Sequence, residues 1–139
     1  MRQLINHGWE FLKAEPGSRY EEVVCREREA FCLPHDWAIG DVADFYRDAD
    51  GWYFLKLDAS LIPEEHTEVL LRFDGVYMDS RVYLNGQPAA EHHYGYTAFY
   101  VRLSGLCGPG SMKWLCRCAT GIRIHAGIQV RASSAMWSC

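Results

Sequence analysis

Apolar and polar positions alternate along much of this chain, and the period is two. In Gly51–Asp58, Tyr53, Leu55 and Leu57 share one face, with Lys56 and Asp58 on the other. Glu68–Phe73 repeats the pattern, with Val69, Leu71 and Phe73 together and Arg72 opposed. Arg81–Leu84 runs into Asn85-Gly86, the strongest short hairpin signal, because a type I′ turn needs positive φ at both central residues. Thr97–Leu103 is a further aromatic and β-branched run. Gly8–Lys13 is an aromatic-rich run that closes at the turn pair Pro16-Gly17. Glu21–Glu29 is the single helical candidate. Short strands with turn signals at close spacing predict an all-β chain, a sandwich or a barrel. No internal repeat interrupts the pattern.

Size and composition narrow the classes. The chain has 139 residues, enough for one domain that buries roughly two-thirds of its unfolded surface. It is too short for a complete TIM barrel, which takes about 250 residues. No run of eighteen apolar residues occurs, so no membrane-spanning helix is expected. Met1–His7 lacks an apolar signal core, so the expected location is cytoplasmic. A net charge of −4 argues against a nucleic-acid surface.

The charge breaks sharply along the chain. All eighteen acidic residues lie at or before Glu91, whereas Lys113, Arg117, Arg123 and Arg131 stand after Cys107 with no acid among them. Random placement would leave the last 33 positions without an acid in only about 1% of cases. Four of the six cysteines (Cys107, Cys116, Cys118, Cys139) fall in the same segment. A basic interaction tail is one reading. A zinc site is poorly supported, because Cys116-Arg117-Cys118 has no second Cys or His pair at ligand spacing. A disulfide framework would need secretion, which nothing indicates. A change of reading frame is the remaining alternative.

Candidate chemistry is sparse. His35-Asp36 are adjacent, so on a strand they would face opposite ways, and a structural turn is the better reading. His92-His93 are consecutive rather than alternating, which does not suit a jelly-roll metal site, so no metal is expected. There is no G-x-S-x-G elbow, no G-x-G-x-x-G and no phosphate loop, so no catalytic residue and no cofactor is assigned. Aromatic residues at 14% leave one possibility: ring faces that stack on sugars. Trp37, Trp52, Tyr94 and Tyr96 are the carbohydrate-contact candidates.

A series of motifs then carries a family resemblance. Leu4 and Gly8-Trp9-Glu10-Phe11 are followed by Leu33-Pro34-His35-Asp36-Trp37-Ala38-Ile39 and Gly51-Trp52-Tyr53. Leu71-Arg72-Phe73-Asp74-Gly75-Val76, Asp79-Ser80, Val82-Tyr83-Leu84-Asn85-Gly86, His93, Gly95-Tyr96-Thr97 and Phe99 complete it. Over residues 2–106 the chain resembles the N-terminal sugar-binding domain of glycoside hydrolase family 2, which includes β-galactosidases, β-glucuronidases and β-mannosidases. The resemblance implies a galactose-binding-like jelly-roll β-sandwich packed beside a catalytic TIM barrel. It also implies a retaining reaction run by two glutamates of that barrel. Neither glutamate maps onto this chain, which is therefore expected to be inactive alone. The L-P-H-D-W and G-W-Y elements look most like the galactosidase branch. The partners implied are the barrel and carbohydrate, with no nucleic acid and no membrane. A stand-alone carbohydrate-binding module or a structural interaction module is the alternative.

The resemblance stops at the compositional break. The family pattern after this point, roughly N-R-x-x-x-S-R-W-Y-x-G-S-G-I-x-R-D-V, is absent from residues 107–139 as translated. Permitted codons for Ala119–Cys139, read one base earlier, allow N-R-H-P-H-S-R-W-Y-S-G-S-G-I-F-R-D-V-V-L. Met136-Trp137 then forces valine, and Met112-Lys113 forces glutamate. The expected organisation is therefore a sugar-binding sandwich over residues 1–106, incomplete at its C-terminal end, and an out-of-frame or non-native tail over 107–139. Such a sandwich would leave a strand beside the gap with unpaired backbone groups, unless the tail partly fills the place.

Overall fold

The structure, a computed structural model, describes residues 2–33, 35, 49–57, 68–77, 79–103, 112–120 and 130–135. These form ten strands and one helical turn: β1 (Arg2–Leu4), β2 (Trp9–Ala14), α1 (Tyr20–Val23), β3 (Glu29–Phe31), β4 (Ala49–Leu57), β5 (Glu68–Phe73), β6 (Asp79–Leu84), β7 (Gln87–His92), β8 (Phe99–Arg102), β9 (Met112–Thr120) and β10 (Val130–Ala135). They make two antiparallel sheets, one ordered β1-β10-β5-β8 and the other β3-β2-β4-β9-β6-β7. The architecture is that of a β-sandwich.

Period-two alternation builds the core between the sheets. Trp9, Phe11, Tyr53, Leu55, Val82 and Leu84 come from the six-stranded sheet, and Leu71, Phe73, Phe99 and Val101 from the four-stranded one. Each fully buried Leu or Phe of this set contributes roughly 1.5–3 kcal/mol relative to exposure. Leu33, Val76 and Leu103 close the cluster from the connecting segments.

β4 departs from simple alternation, because its second face is buried too. Trp52 and Phe54 join Ala14 and Val23 in a second cluster on the other side of the six-stranded sheet, with Leu12, Tyr20 and Tyr83 packed against it. Tyr83 stacks on both Tyr20 and Trp52, at 5.6 and 6.1 Å between ring centroids. Arg28 lies 3.8 Å above the Phe54 ring.

The turns follow their sequence signals. Asn85 and Gly86 have φ of 51° and 83°, the positive pair that a type I′ hairpin needs, and they join β6 to β7. In Glu15-Pro16-Gly17-Ser18, Gly17 has φ 83° and Ser18 N–H donates to the Glu15 carbonyl at 3.1 Å, as a type II turn requires. The Gly17 N–H then donates to the buried Asp50 carboxylate at 2.9 Å, fixing this turn to the start of β4.

The helix is shorter than its candidate span. α1 covers one turn, not Glu21–Glu29, because Glu29 is already paired in β3, opposite Phe11 of β2. The Glu22 carboxylate accepts the Arg19 N–H at 2.8 Å, which satisfies one orphan donor at the helix start and holds the Glu22 carboxyl below its ordinary range.

Segments beyond Cys107 occupy a central place in each sheet. β9 pairs with β4 from Leu57↔Met112 to Ala49↔Thr120 and with β6 on its other side. β10 lies between β1 and β5. Among the described residues, β9 and β10 thus pair on both sides with strands from the first 106 residues.

Candidate functional site

The carbohydrate-contact candidates separate by position. Trp52 is 0% exposed and stacked under Tyr83, so its ring face is not available to a ligand from solvent. Trp37 lies outside the described residues. Tyr94 and Tyr96 are 58% and 76% exposed and stand in the link between β7 and β8.

That link is held by packing against the segment that follows β5. An added Cβ on Gly95 would lie 2.5 Å from Tyr77 Cδ2 and 3.1 Å from Tyr77 Cα. A Cβ on Gly75 would in turn lie 3.5 Å from the Gly95 carbonyl oxygen. Gly95 thus lets the two backbones approach closely, whereas a side chain at Gly75 would make only an ordinary contact. Tyr77 meets the edge of Tyr96 at 5.8 Å and 78°, and Tyr94 meets Tyr96 at 5.7 Å and 62°. The result is a row of three tyrosines in favourable edge-to-face geometry, two of them open to solvent.

Polar groups border the row. The Asp79 carboxylate can only accept, so His93 Nδ1 carries the proton and donates to it at 2.9 Å. The other ring nitrogen of His93 is 3.9 Å from the Glu91 carboxylate. Arg81 pairs with Glu91 from the neighbouring strand. A hydrogen bond that Arg81 donates to the Tyr83 side-chain oxygen, and then the Glu91 charge, hold its guanidinium above its ordinary value despite partial desolvation. His92 stacks on Phe99 at 4.5 Å and shares a 3.0 Å hydrogen bond with Thr97, which ties the two ends of the link together. The buried Ser80 hydroxyl donates to the His92 carbonyl at 3.2 Å.

This arrangement offers apolar ring faces beside two carboxylates and an imidazole. It is suited to stacking on the C–H face of a sugar while acceptors take its hydroxyls. Tyr77, Asp79 and Glu91 were not singled out as site residues in the sequence. Strand periodicity places Asp79 and Glu91 on neighbouring strands, yet nothing local shows that Tyr77 meets the Tyr94-Gly95-Tyr96 tip.

His35 stands apart from this site. His35 shares a 3.0 Å hydrogen bond with the Tyr53 hydroxyl and packs against Phe11 and Phe31, at 4.9 and 4.0 Å. Asp36 lies outside the described residues, as does Pro34. Among the described residues no group of three or more His, Cys, Asp or Glu is disposed to hold a metal ion. No helix among them is long and apolar enough to cross a membrane.

An antiparallel sandwich with an exposed tyrosine row at one end is the class that fold and site define. Comparison with known proteins carries this further. No family model matches the chain. In sequence it is 30% identical over 111 residues to a Formosa agariphila protein named "Putative beta-glucuronidase", and 32% over 106 residues to a second protein so named in that organism. It is 36% identical over 87 residues to "Beta-galactosidase BoGH2A" of Bacteroides ovatus. These matches take in 72%, 74% and 52% of this chain, which spans only 11%, 13% and 10% of those relatives.

Among solved structures, a glycosyl hydrolase family 2 member from Bacteroides cellulosilyticus matches with TM-score 0.76 and 24% identity, over 96% of this chain and 20% of that one. A β-glucuronidase from Ruminococcus gnavus matches with TM-score 0.75 and 17% identity, over 95% and 29%. These structural likenesses show the fold. With the sequence matches, they establish homology to family 2 members of the β-glucuronidase and β-galactosidase kind.

Proposed function

We propose that residues 1–106 are the non-catalytic N-terminal sugar-binding and scaffold domain of a family 2 glycoside hydrolase, with a jelly-roll sandwich. The carrying observation is the sequence match to three such enzymes over a stretch that spans about a tenth of their length, on an all-β fold. In this reading the parent hydrolyses O-glycosyl bonds with retention, through two carboxylates on a barrel that packs beside the sandwich. The tyrosine row with Asp79, Glu91 and His93 is the face this domain turns to carbohydrate. The galactosidase branch suggested by L-P-H-D-W has no advantage over the glucuronidase branch, since two of the three curated relatives carry the latter name. The substrate class is therefore a β-galactoside or a β-glucuronide.

Two measurements test the proposal. The purified chain is assayed with nitrophenyl β-galactoside and β-glucuronide, and no turnover above buffer is expected. Turnover by this chain alone would sink the reading. Galactose and glucuronic acid are then titrated while the tyrosine ring signals are followed by NMR. A dissociation constant on the order of millimolar, about −4 kcal/mol, suits one exposed stacking site. Loss of the shifts in Tyr96→Ala places the sugar on the row. No response to either sugar would favour the alternative, a structural module that docks against a barrel.

A further inference from the structure

The two central strands misfit their neighbours in charge. Register sets Lys113 opposite Lys56, Arg117 opposite Arg81 and Arg131 opposite Arg72. Directly opposed residues on antiparallel strands have Cβ atoms about 4.5–5.5 Å apart on one face, and like charges there repel. Three of the four basic residues after Leu106 thus stand in register opposite a basic residue of the body. The second rung partner of Arg117 is Trp52, which is wholly buried. A sequence matched to its fold makes local choices that agree with the global one, and these rungs do not.

The genetic code provides an independent check. Restoring one base within codons 105–111 makes each later residue from the last base of the preceding codon and the first two of its own. At position 113 the outcome is forced: Met112-Lys113 is ATG-AAR, which gives GAA, glutamate, opposite Lys56. At position 117 a cation is impossible. Cys116 ends in T or C and an arginine codon begins CG or AG, so proline, serine, glutamine or a stop results. At position 131 arginine is impossible as well, and of the eight base combinations open to Val130-Arg131 only one returns a cation, lysine. In register terms, one like-charge rung becomes an opposite-charge rung, the second loses its cation from β9, and the third loses its arginine from β10.

We infer that residues from about 107 onward are read one base out of frame with the body. The central slots between β4 and β6 and between β1 and β5 are built for strands encoded in the neighbouring frame. The inference rests on register and codons, and it stands whether or not the tyrosine row binds sugar.

The gene is sequenced on both strands across codons 105–111 from genomic DNA. One additional base supports the inference directly; where it is absent, the neighbouring frame is read on past codon 139, and a stop within it overturns the inference. At the protein level, this chain is compared with the chain expressed after one base is inserted in that window. The restored chain is expected to survive trypsin at least tenfold longer and to melt at a higher temperature. Equal or greater resistance in the chain as given also overturns the inference.

Discussion

Gly95→Ala probes the contact that shapes the candidate site. An alanine Cβ at this position lies 2.5 Å from Tyr77 Cδ2 and 3.1 Å from Tyr77 Cα. Ring rotation relieves the first overlap, but the second is with backbone and needs the two segments to separate by several tenths of an ångström. Inserting a methyl into a close-packed contact costs about 1–3 kcal/mol. Gly95 does not have positive φ, so alanine strains no backbone dihedral and gains about 0.4–1 kcal/mol by restricting the unfolded chain. The net expectation is a loss of roughly 1–2 kcal/mol in urea unfolding, with altered NMR signals for Tyr94 and Tyr96. A double variant with Tyr77→Ala should recover only the ring-overlap part of the loss, leaving the backbone part. A Gly95→Ala protein as stable as the parent, with unchanged tyrosine signals, would refute the close approach and with it the packing of Tyr77 against the row.

Other expectations follow from single positions. Leu71→Ala removes a fully buried side chain between the sheets and should cost about 2–5 kcal/mol in chemical denaturation, whereas Tyr100→Ala, at an exposed position, should change little. Gly86→Ala places a side chain at φ 83° in the hairpin and should cost about 1 kcal/mol, read as a lower melting temperature. The Glu22 carboxyl is held below its ordinary value chiefly by the Arg19 backbone N–H, so its contribution is full above the unfolded carboxyl range. That contribution is lost as pH falls through the lowered value. Glu22→Gln should therefore melt slightly below the parent at neutral pH and coincide with it in strong acid.

Local chemistry in the sequence determined much of this protein. Alternation at Glu68–Phe73 named β5 to the residue, and Asn85-Gly86 named the β6–β7 hairpin, because both depend on neighbours within a few positions. The exposed Tyr94 and Tyr96 were within reach of the sequence as aromatic residues beside a glycine turn. Tertiary structure alone decided the rest. Trp52 carries the same ring as an exposed platform would, and only α1 and Tyr83 across the sheet show that it is buried. The helical candidate at Glu21–Glu29 lost its second half to pairing with β2, a partner distant in sequence. Tyr77 joins the tyrosine row through a backbone approach that no period encodes. The insertion of β9 and β10 into the middle of both sheets is the furthest from local reading. Periodicity reports which residues share a face, but strand order is set by which distant surfaces bury one another, and that is a property of the folded chain.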